Sequence, residues 1–352
     1  MTKFHFHIFL LCSILCGSCQ DDPVAAPDDH LSDLNGPISK PTSGYGADGS
    51  FAVARIAFPN PAYTTMQPEL FYPANSTTPK PTIFFAHGYG GNRSGIYQGV
   101  LDFIAKKGYA VVFVPYPTRG GSVDDRYDIL WAGFEEAVRK FPSIIDTTRV
   151  GFMGHSFGGG AVVGLAHRAF TEKHWGENGR FLFPLAPWYS YQLTDDQLSS
   201  FPDNTKLLMQ VYQEDTINDH RMAIDIYKHI NISNSEKDYV TVTSDEVDGY
   251  RYLAGHSLPT TVGQGDRSLD AYDYYGVYRL LDALMDYTFN HNPSAKNVAL
   301  GNGSAEQVTM PTYNQQTLAP LLVTDDPQPT HAQDFYLFYC SHERNPRSAM
   351  CE

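Results

Sequence analysis

The chain has 352 residues and a formal net charge of -14, with 39 acidic side chains against 25 Lys and Arg side chains. Hydrophobic residues make up 42% of the sequence and charged residues 18%, so the chain can bury a large core, which excludes a disordered or fibrous protein. The sequence contains no dense run of Lys or Arg, and we expect no nucleic-acid partner. The overall charge favours neutral or cationic substrates.

The first residues predict an export signal. Lys3 precedes an apolar run over residues 8–15, which is too short to cross a bilayer as a helix, and small residues follow at 17 and 18. The segment ending at Cys19 resembles the lipobox of bacterial lipoproteins, although Cys16 stands where that motif usually has Leu. We therefore predict a signal in residues 1–19. The resemblance implies a lipid anchor on Cys19 in the bacterial cell envelope, and ordinary cleavage with secretion is the alternative.

Residues 20–50 are rich in Asp, Pro, Ser and Gly, and this composition predicts a flexible linker. From residue 51 onward, β-rich runs alternate with helical patterns, which is typical of a mainly parallel sheet flanked by helices. The predicted strands are 82–86, 109–114, 149–153, 181–185 and 206–212, with one more strand or a hairpin within 239–253. The predicted helices are 96–106, 125–140, 159–170 and 269–289. The predicted α/β domain therefore covers residues 51–290.

Beyond residue 290 the helical periodicity is lost, and we predict that residues 291–352 form a C-terminal extension that wraps the domain. This extension carries Cys340 and Cys351. In an exported chain these two cysteines are natural disulfide partners, because the compartment is oxidising and the loop between them is short. Metal ligation by the pair is the weaker alternative, since no CxxC motif or Cys/His cluster accompanies it. We expect no metal or organic cofactor.

The segment Gly-His-Ser-Phe-Gly at residues 154–158 is the main chemical motif. It follows an apolar strand pattern and precedes a helical pattern, which is the context of a nucleophile elbow. The turn holds serine in a strained conformation, and the flanking glycines leave room for it. Ser156 is therefore the predicted nucleophile.

A serine nucleophile needs a histidine base and an acid that orients it, and in an elbow-type hydrolase they follow in the order Ser, acid, His. His256 lies between the last predicted strand and the final helix, and it is the predicted base. Asp215, just after the strand 206–212, is the predicted acid. Among the other carboxylates we keep Asp219 as the second candidate and Asp245 as the third.

The oxyanion of an acyl-transfer reaction needs backbone N–H donors. Phe157, directly after the nucleophile, supplies the first. The second is expected from Tyr89, in the glycine-rich loop His-Gly-Tyr-Gly-Gly that follows the strand 82–86. His87, in the same loop, is interpreted as a packing or hydrogen-bonding residue.

Four short segments carry a family resemblance: AHGYG at 86–90, GHSFGGG at 154–160, APW at 186–188 and GHS at 255–257. Together they resemble the bacterial cutinase and poly(ethylene terephthalate) hydrolase group, and also platelet-activating-factor acetylhydrolases, chlorophyllases and dienelactone-hydrolase-like esterases. The resemblance covers about residues 50–290 and implies an α/β-hydrolase fold. It also implies that Tyr89 and Trp188 flank the acyl group, with core packing as the alternative for Trp188. Phe157 stands where the polyester hydrolases usually have Met.

The sequence thus predicts an exported serine esterase that cleaves carboxylic esters, small or polymeric, through an acyl-enzyme. The alternatives are another acyl hydrolase with the same fold, such as an acetylhydrolase, thioesterase or peptidase, or a surface lipoprotein that only binds.

Overall fold

A computed structural model describes residues 35–351, which form a mixed α/β fold with a large central sheet. In chain order the strands are β1 (Val53–Ala57), β2 (Glu69–Pro73), β3 (Lys80–Ala86), β4 (Ala110–Val114), β5 (Ile145–His155), β6 (Arg180–Leu185), β7 (Thr205–Tyr212), β8 (Lys237–Val242), β9 (Asp245–Val247), β10 (Tyr250–Tyr252), β11 (Thr312–Tyr313), β12 (Gln316–Thr317) and β13 (Leu322–Thr324).

The α-helices are α1 (Gln98–Lys106), α2 (Val123–Lys140), α3 (Phe157–Glu172), α4 (Asp195–Ser199), α5 (Arg221–His229), α6 (Arg279–Phe289), α7 (Lys296–Ala299) and α8 (Ala305–Val308). A π-helix, Tyr272–Tyr278, leads directly into α6. Short 3-10 helices are formed by Ser94–Tyr97, Asn234–Glu236, Gly265–Arg267, Pro293–Ala295, Gln333–Phe335 and Ser348–Met350.

The main sheet of the described chain has nine strands in the order β1-β2-β4-β3-β5-β6-β7-β8-β13. Strands β4, β3, β5, β6, β7 and β8 run parallel, whereas β1, β2 and β13 pair antiparallel with their neighbours. The carboxyl ends of the parallel strands therefore meet at one edge. In open α/β sheets this edge is where ligands bind.

The side chains of the central strands alternate between two hydrophobic cores, one on each face of the sheet. In β3, Phe84 belongs to the core beneath α2, α3 and α5, and the next residue, Phe85, belongs to the core beneath α1 and α6. Both phenylalanines are fully buried. The apolar runs of the sequence reflect this burial on both faces.

The predicted mainly parallel sheet with flanking helices is confirmed as the architecture of the described chain. The segment 239–253 holds both structures that its sequence allowed: β8 ends at Val242, and β9 and β10 then form a hairpin. The predicted helix 269–289 is instead a π-helix followed by α6. At the N-terminal end of α1, the first turn of the predicted helix is a 3-10 turn.

Residues 35–50, the described part of the predicted linker, lie against the domain. Ile38 is 5% exposed, and its N–H donates to the hydroxyl of Tyr252 at 3.2 Å. The Tyr45 hydroxyl donates to Asp286 at 2.7 Å. This part of the predicted linker is therefore packed against the domain by a buried apolar side chain and by polar contacts.

The predicted C-terminal extension contributes to the sheet and is crosslinked. Strand β13 pairs antiparallel with β8 at the sheet edge, so the sheet extends beyond the predicted boundary at residue 290. Cys340 and Cys351 form the predicted disulfide bond.

The predicted signal, Cys19 and most of the predicted linker lie outside the described residues. Within residues 35–351, none of the helices combines the length and the hydropathy that a membrane crossing requires.

Candidate active site

Ser156 lies at a sharp turn between β5, which ends at His155, and α3, which begins at Phe157. Its backbone has φ 55° and ψ -119°, a conformation that residues with a Cβ rarely adopt. Gly158 permits the turn, because a Cβ there would lie 2.0 Å from the carbonyl oxygen of Ala86. The turn holds the Ser156 hydroxyl at the carboxyl edge of the sheet.

His256 lies between Ser156 and Asp215. Its Nε2 is 2.9 Å from Oγ of Ser156, and its Nδ1 is 2.8 Å from Oδ2 of Asp215. Because an ionised carboxylate only accepts hydrogen bonds, Nδ1 carries the proton and Nε2 is free to accept from the serine hydroxyl. Three residues that lie far apart in the sequence thus form one continuous hydrogen-bonded row.

The environment of Asp215 keeps its carboxylate ionised. The side chain is fully buried just after β7, and its Oδ1 accepts hydrogen bonds from the N–H groups of Ile217 and Asn218 at 2.7 and 3.0 Å. Burial pushes the pKa of Asp215 up, but His256 and these hydrogen bonds hold the pKa below its ordinary value. The ionised carboxylate can therefore orient His256 and stabilise its protonated form.

The other candidate acids do not reach His256. Asp219 accepts from the N–H of Cys340 at 3.0 Å and forms an ion pair with Arg221. Asp245 accepts from the N–H of Ala319 at 2.7 Å. Asp219 thus joins the loop after β7 to the C-terminal extension, and Asp245 joins β9 to the extension.

Hydrogen bonds link Gly88, Tyr97 and His155, which lie in three separate parts of the chain, to the loop that carries His256. The N–H of Gly88 donates to the Tyr97 hydroxyl at 2.9 Å, and this hydroxyl lies 2.8 Å from Nδ1 of His155. His155 Nε2 in turn lies 2.8 Å from the carbonyl oxygen of His256. Burial, together with the nearby His256, lowers the pKa of His155 to about 3, so its ring is neutral. No role of His155 was predicted from its sequence motif.

His87 is a structural residue of the glycine-rich loop. It is fully buried, stacks on Tyr116 at a ring-centroid distance of 3.8 Å, and its Nε2 accepts from the N–H of Tyr116 at 3.1 Å. Burial lowers its pKa to about 3. The packing interpretation of His87 agrees with these contacts.

The two predicted oxyanion donors belong to segments that meet at Ser156. Phe157 is the first residue of α3, where backbone N–H groups have no intrahelical acceptor. Gly88, which precedes Tyr89, lies so close to the serine that a Cβ on it would be 3.2 Å from Cβ of Ser156. Tyr89 itself is 63% exposed and lies at the mouth of the site.

Trp188 packs against the elbow. Its backbone N–H donates to the carbonyl oxygen of Ser156 at 2.8 Å, and its ring stacks on Phe157 at a centroid distance of 5.7 Å while the residue is only 8% exposed. The same ring also lines a cavity beside Ser156. The side chain therefore packs against the elbow and forms part of the cavity wall.

A cavity of about 570 Å³ opens at Ser156 and His256. A second space of about 280 Å³ adjoins it and shares Tyr89, Ser156, His256 and Ser257 with the first. The walls of the larger cavity are mainly apolar, formed by Tyr89, Val123, Phe157, Trp188, Ile217 and Phe338. A substrate bound at Ser156 therefore has two adjoining spaces available to it.

No protein-family model and no curated protein matches this sequence.

Asn218 is a residue of the site that the sequence analysis missed. Its Nδ2 lies 3.3 Å from Oγ of Ser156 and donates to the carbonyl oxygen of Ala186 at 2.9 Å. The side chain is 2% exposed. The available signal was its position in the loop after β7, three residues beyond Asp215.

The extension supplies a wall of the cavity that no motif indicated. Phe338 and Arg344 both line it, although they lie more than 180 residues after Ser156 in the sequence. Arg126, from α2, also lines it.

In the part of the chain that the structure describes, no group of three His, Cys, Asp or Glu side chains is arranged to hold a metal ion.

Proposed function

We propose that this protein is a serine hydrolase of the α/β-hydrolase type that cleaves carboxylic esters. The observation that carries the proposal is the row Ser156, His256 and Asp215, with contacts of 2.9 and 2.8 Å and a strained serine at the start of a helix. This arrangement is the one that activates a serine hydroxyl for acyl transfer.

In the proposed reaction, Ser156 Oγ attacks the ester carbonyl carbon while its proton passes to Nε2 of His256. The N–H groups of Phe157 and Tyr89 hold the negative oxygen of the tetrahedral intermediate. The bond from carbon to the alcohol oxygen then breaks, and His256 gives its proton to that oxygen. The alcohol leaves and the acyl group remains on Ser156.

Water completes the cycle. His256 takes a proton from a water molecule, whose oxygen attacks the acyl carbon of the acyl-enzyme. The intermediate collapses, the bond to Ser156 Oγ breaks, and the serine regains its proton from His256. The products are one carboxylic acid and one alcohol, and Asp215 stays ionised throughout while it holds His256 in orientation.

The test compares the wild type, Ser156→Ala and Ser294→Ala on p-nitrophenyl acyl esters. Ser294 is an exposed serine outside the site and serves as the control. We expect Ser156→Ala to lose about 10⁴-fold or more in kcat and Ser294→Ala to match the wild type. A fluorophosphonate probe should modify Ser156 in the folded wild type. Full activity in Ser156→Ala would contradict the proposal, and a folded protein without an adduct would favour a binding protein.

Two sizes of ester are candidate substrates, a long or polymeric ester and a short acetyl ester. The tryptophan wall and the mouth at Tyr89 favour a polyester or another long ester, whereas an acetyl ester would leave most of the cavity of about 570 Å³ empty. A chain-length series of p-nitrophenyl esters beside an amorphous polyester film distinguishes them. A sharp preference for acetyl with no action on the film would identify a small-ester esterase.

Export and lipidation of Cys19 are part of the proposal. A disulfide between Cys340 and Cys351 suits an oxidising compartment. The mass of the mature N-terminal peptide, compared between wild type and Cys19→Ser, tests the lipid anchor: a diacylglyceryl mass that disappears in the variant supports it, and an unmodified N-terminus in both contradicts it.

A further inference from the structure

The charge of the candidate site is opposite to that of the protein as a whole. The chain carries 39 acidic and 25 basic residues. Yet the described residues that line the two spaces around Ser156 include three arginines, Arg126, Arg344 and Arg267, and no Asp or Glu. Asp215 is fully buried behind His256. Asp266 accepts from the backbone N–H of Ser257 at 2.9 Å but lines neither space. A concave site with charges of one sign concentrates their field on the ligand.

Arg126 is a largely buried cation that forms no ion pair; the carboxylate that acts on it is that of the exposed neighbour Asp125. Its side chain is 9% exposed, and its Nε and Nη2 donate to the carbonyl oxygens of Pro117 and Gly120 at 3.0 and 2.9 Å. Among the described residues, no carboxylate forms an ion pair with it. Its guanidinium carbon lies 5.7 Å from the ring centroid of Tyr89 and 5.8 Å from that of Phe157.

This arrangement is costly in the free protein, because a charge removed from water is stabilised mainly by an opposite charge. Two neutral carbonyl groups and two aromatic faces hold the guanidinium in one position. They leave it without an ion-pair partner at the wall of the cavity that Ser156 also lines, and an anionic ligand group would provide that partner.

Arg344 is a second cation, presented by the extension. Its carbonyl oxygen accepts from the Tyr191 hydroxyl at 2.5 Å, so its backbone is anchored to the domain. The next residue, Asn345, is buried and donates to the carbonyl oxygen of Cys340 at 2.8 Å. Arg344 lines the cavity, and its guanidinium group has no ion-pair partner within residues 35–351.

Resting on the esterase function proposed above, we propose that the substrate carries an ionised carboxylate in addition to the ester that is cleaved. Half-esters of dicarboxylic acids are the substrate class. The apolar walls contact the carbon chain, while the carboxylate pairs with Arg126 and Arg344, whose planar guanidinium groups match a carboxylate. The reaction releases an alcohol and a dicarboxylate. This substrate class is opposite to the one that the net charge of the chain favours.

The experiment compares three ethyl esters of similar length at pH 8: monoethyl adipate, ethyl hexanoate and ethyl 6-aminohexanoate. They carry a negative, a neutral and a positive end group. Ethanol release gives kcat/KM for each. We expect kcat/KM for monoethyl adipate to exceed that for ethyl hexanoate about tenfold, with the cationic ester slowest. Because salt screens charges, 0.5 M NaCl should reduce this preference.

Variants assign the preference to the arginines. In Arg126→Gln and in Arg344→Gln, we expect the ratio of kcat/KM for monoethyl adipate to that for ethyl hexanoate to fall part of the way from about ten towards one. Arg139→Gln is the matched control, since it removes the same charge from the exposed end of α2, away from the cavity, and should leave the ratio unchanged. Arg344 is exposed, so its variant tests the proposal even if Arg126→Gln does not fold.

A wild-type ratio of one or less, or a ratio unaffected in both Arg126→Gln and Arg344→Gln, would overturn this inference and leave the esterase function intact. Failure of the esterase function gives a different result: no ester is cleaved and a fluorophosphonate does not label Ser156.

Discussion

The N–H of Phe338 donates to the carbonyl oxygen of Ile217 at 2.8 Å, which joins the C-terminal extension to the loop that carries Asp215. Leu337 makes the equivalent bond to Thr216 at 2.8 Å. Because both Ile217 and Phe338 line the cavity, the extension is part of the site as well as of its support. The stability of this contact should therefore affect substrate binding.

The disulfide between Cys340 and Cys351 closes a loop of 11 residues next to this contact. The double variant Cys340→Ser/Cys351→Ser should loosen the extension, because it removes the crosslink. The loss of stability should be about 3 kcal/mol at most, because the loop that the disulfide closes is short. We expect faster cleavage by protease near residue 340 and a higher KM, with a smaller change in kcat. Unchanged proteolysis and unchanged KM would show that the other contacts suffice.

Replacing Asp215 by Asn tests the orientation of His256. The amide keeps the shape but can donate to Nδ1, which places the proton of His256 on Nε2 and removes its ability to accept from Ser156. We expect kcat to fall about 10⁴-fold, by analogy with other triads, with KM little changed. Glu214→Gln is the control, because this exposed neighbour pairs with Arg251 on the surface. Equal kinetics of Asp215→Asn and wild type would contradict the proposal that Asp215 orients His256.

Gly158→Ala tests the elbow. The added Cβ would lie 2.0 Å from the carbonyl oxygen of Ala86, a backbone atom that cannot move without displacing β3. We expect a loss of several kcal/mol of stability or failure to fold, beyond the usual cost of overpacking of about 1–3 kcal/mol. Gly95→Ala is the matched control, as a Cβ there meets nothing within 4 Å. Thermal unfolding of the two variants gives the comparison, and equal Tm values would refute the steric argument.

Asp270 predicts a pH dependence of stability. Burial raises the pKa of its carboxyl group to about 7, despite hydrogen bonds from Tyr272 N–H and the Tyr250 hydroxyl. The pKa of the neighbouring Asp273 is raised by burial and by Asp270. Because the pKa of Asp270 is higher in the folded than in the unfolded chain, the folded state binds this proton more tightly. The stability that the protonated carboxyl group contributes is therefore complete below the ordinary pKa of 3.8 and is lost as the pH rises towards 7.

Asp270→Asn should reduce this dependence, and the part that comes from the burial of Asp273 should remain. We expect the variant to be more stable than the wild type at pH 8, by up to a few kcal/mol, and to lose the advantage at pH 4, because the buried wild-type carboxyl group is then neutral. Asp128→Asn, an exposed replacement on α2, is the control. Urea unfolding at the two pH values measures the difference. A parallel pH profile in wild type and Asp270→Asn would contradict the assignment.

The local patterns of the sequence were sufficient where neighbours in the chain decide the structure. The strand before Ser156, the glycines around it and the helix after it are adjacent in sequence, and the structure has the same order. The buried strands 82–86 and 206–212 were likewise visible as apolar runs. The π-helix before α6 was not, because the apolar spacing of the two helix types is too similar over seven residues.

Long-range contacts account for what sequence patterns missed. Asn218 reaches Ser156 only because β7 lies two strands from β5 in the sheet. The packing of residues 35–50 depends on Tyr252 and Asp286, which are more than 200 residues away. Such contacts have no local periodicity from which they could be predicted.

The sequence by itself determined the α/β architecture, the disulfide pair and the chain order of Ser156, Asp215 and His256, because apolar spacing and turn residues act over a few neighbours. Only the tertiary structure decided that His256 lies 2.9 Å from Ser156 and 2.8 Å from Asp215. It also decided that Arg126 and Arg344 line the same cavity. The parallel strands bring their carboxyl ends to one edge, and the extension closes over that edge. The local charge of the site therefore depends on packing and not on the composition of the chain.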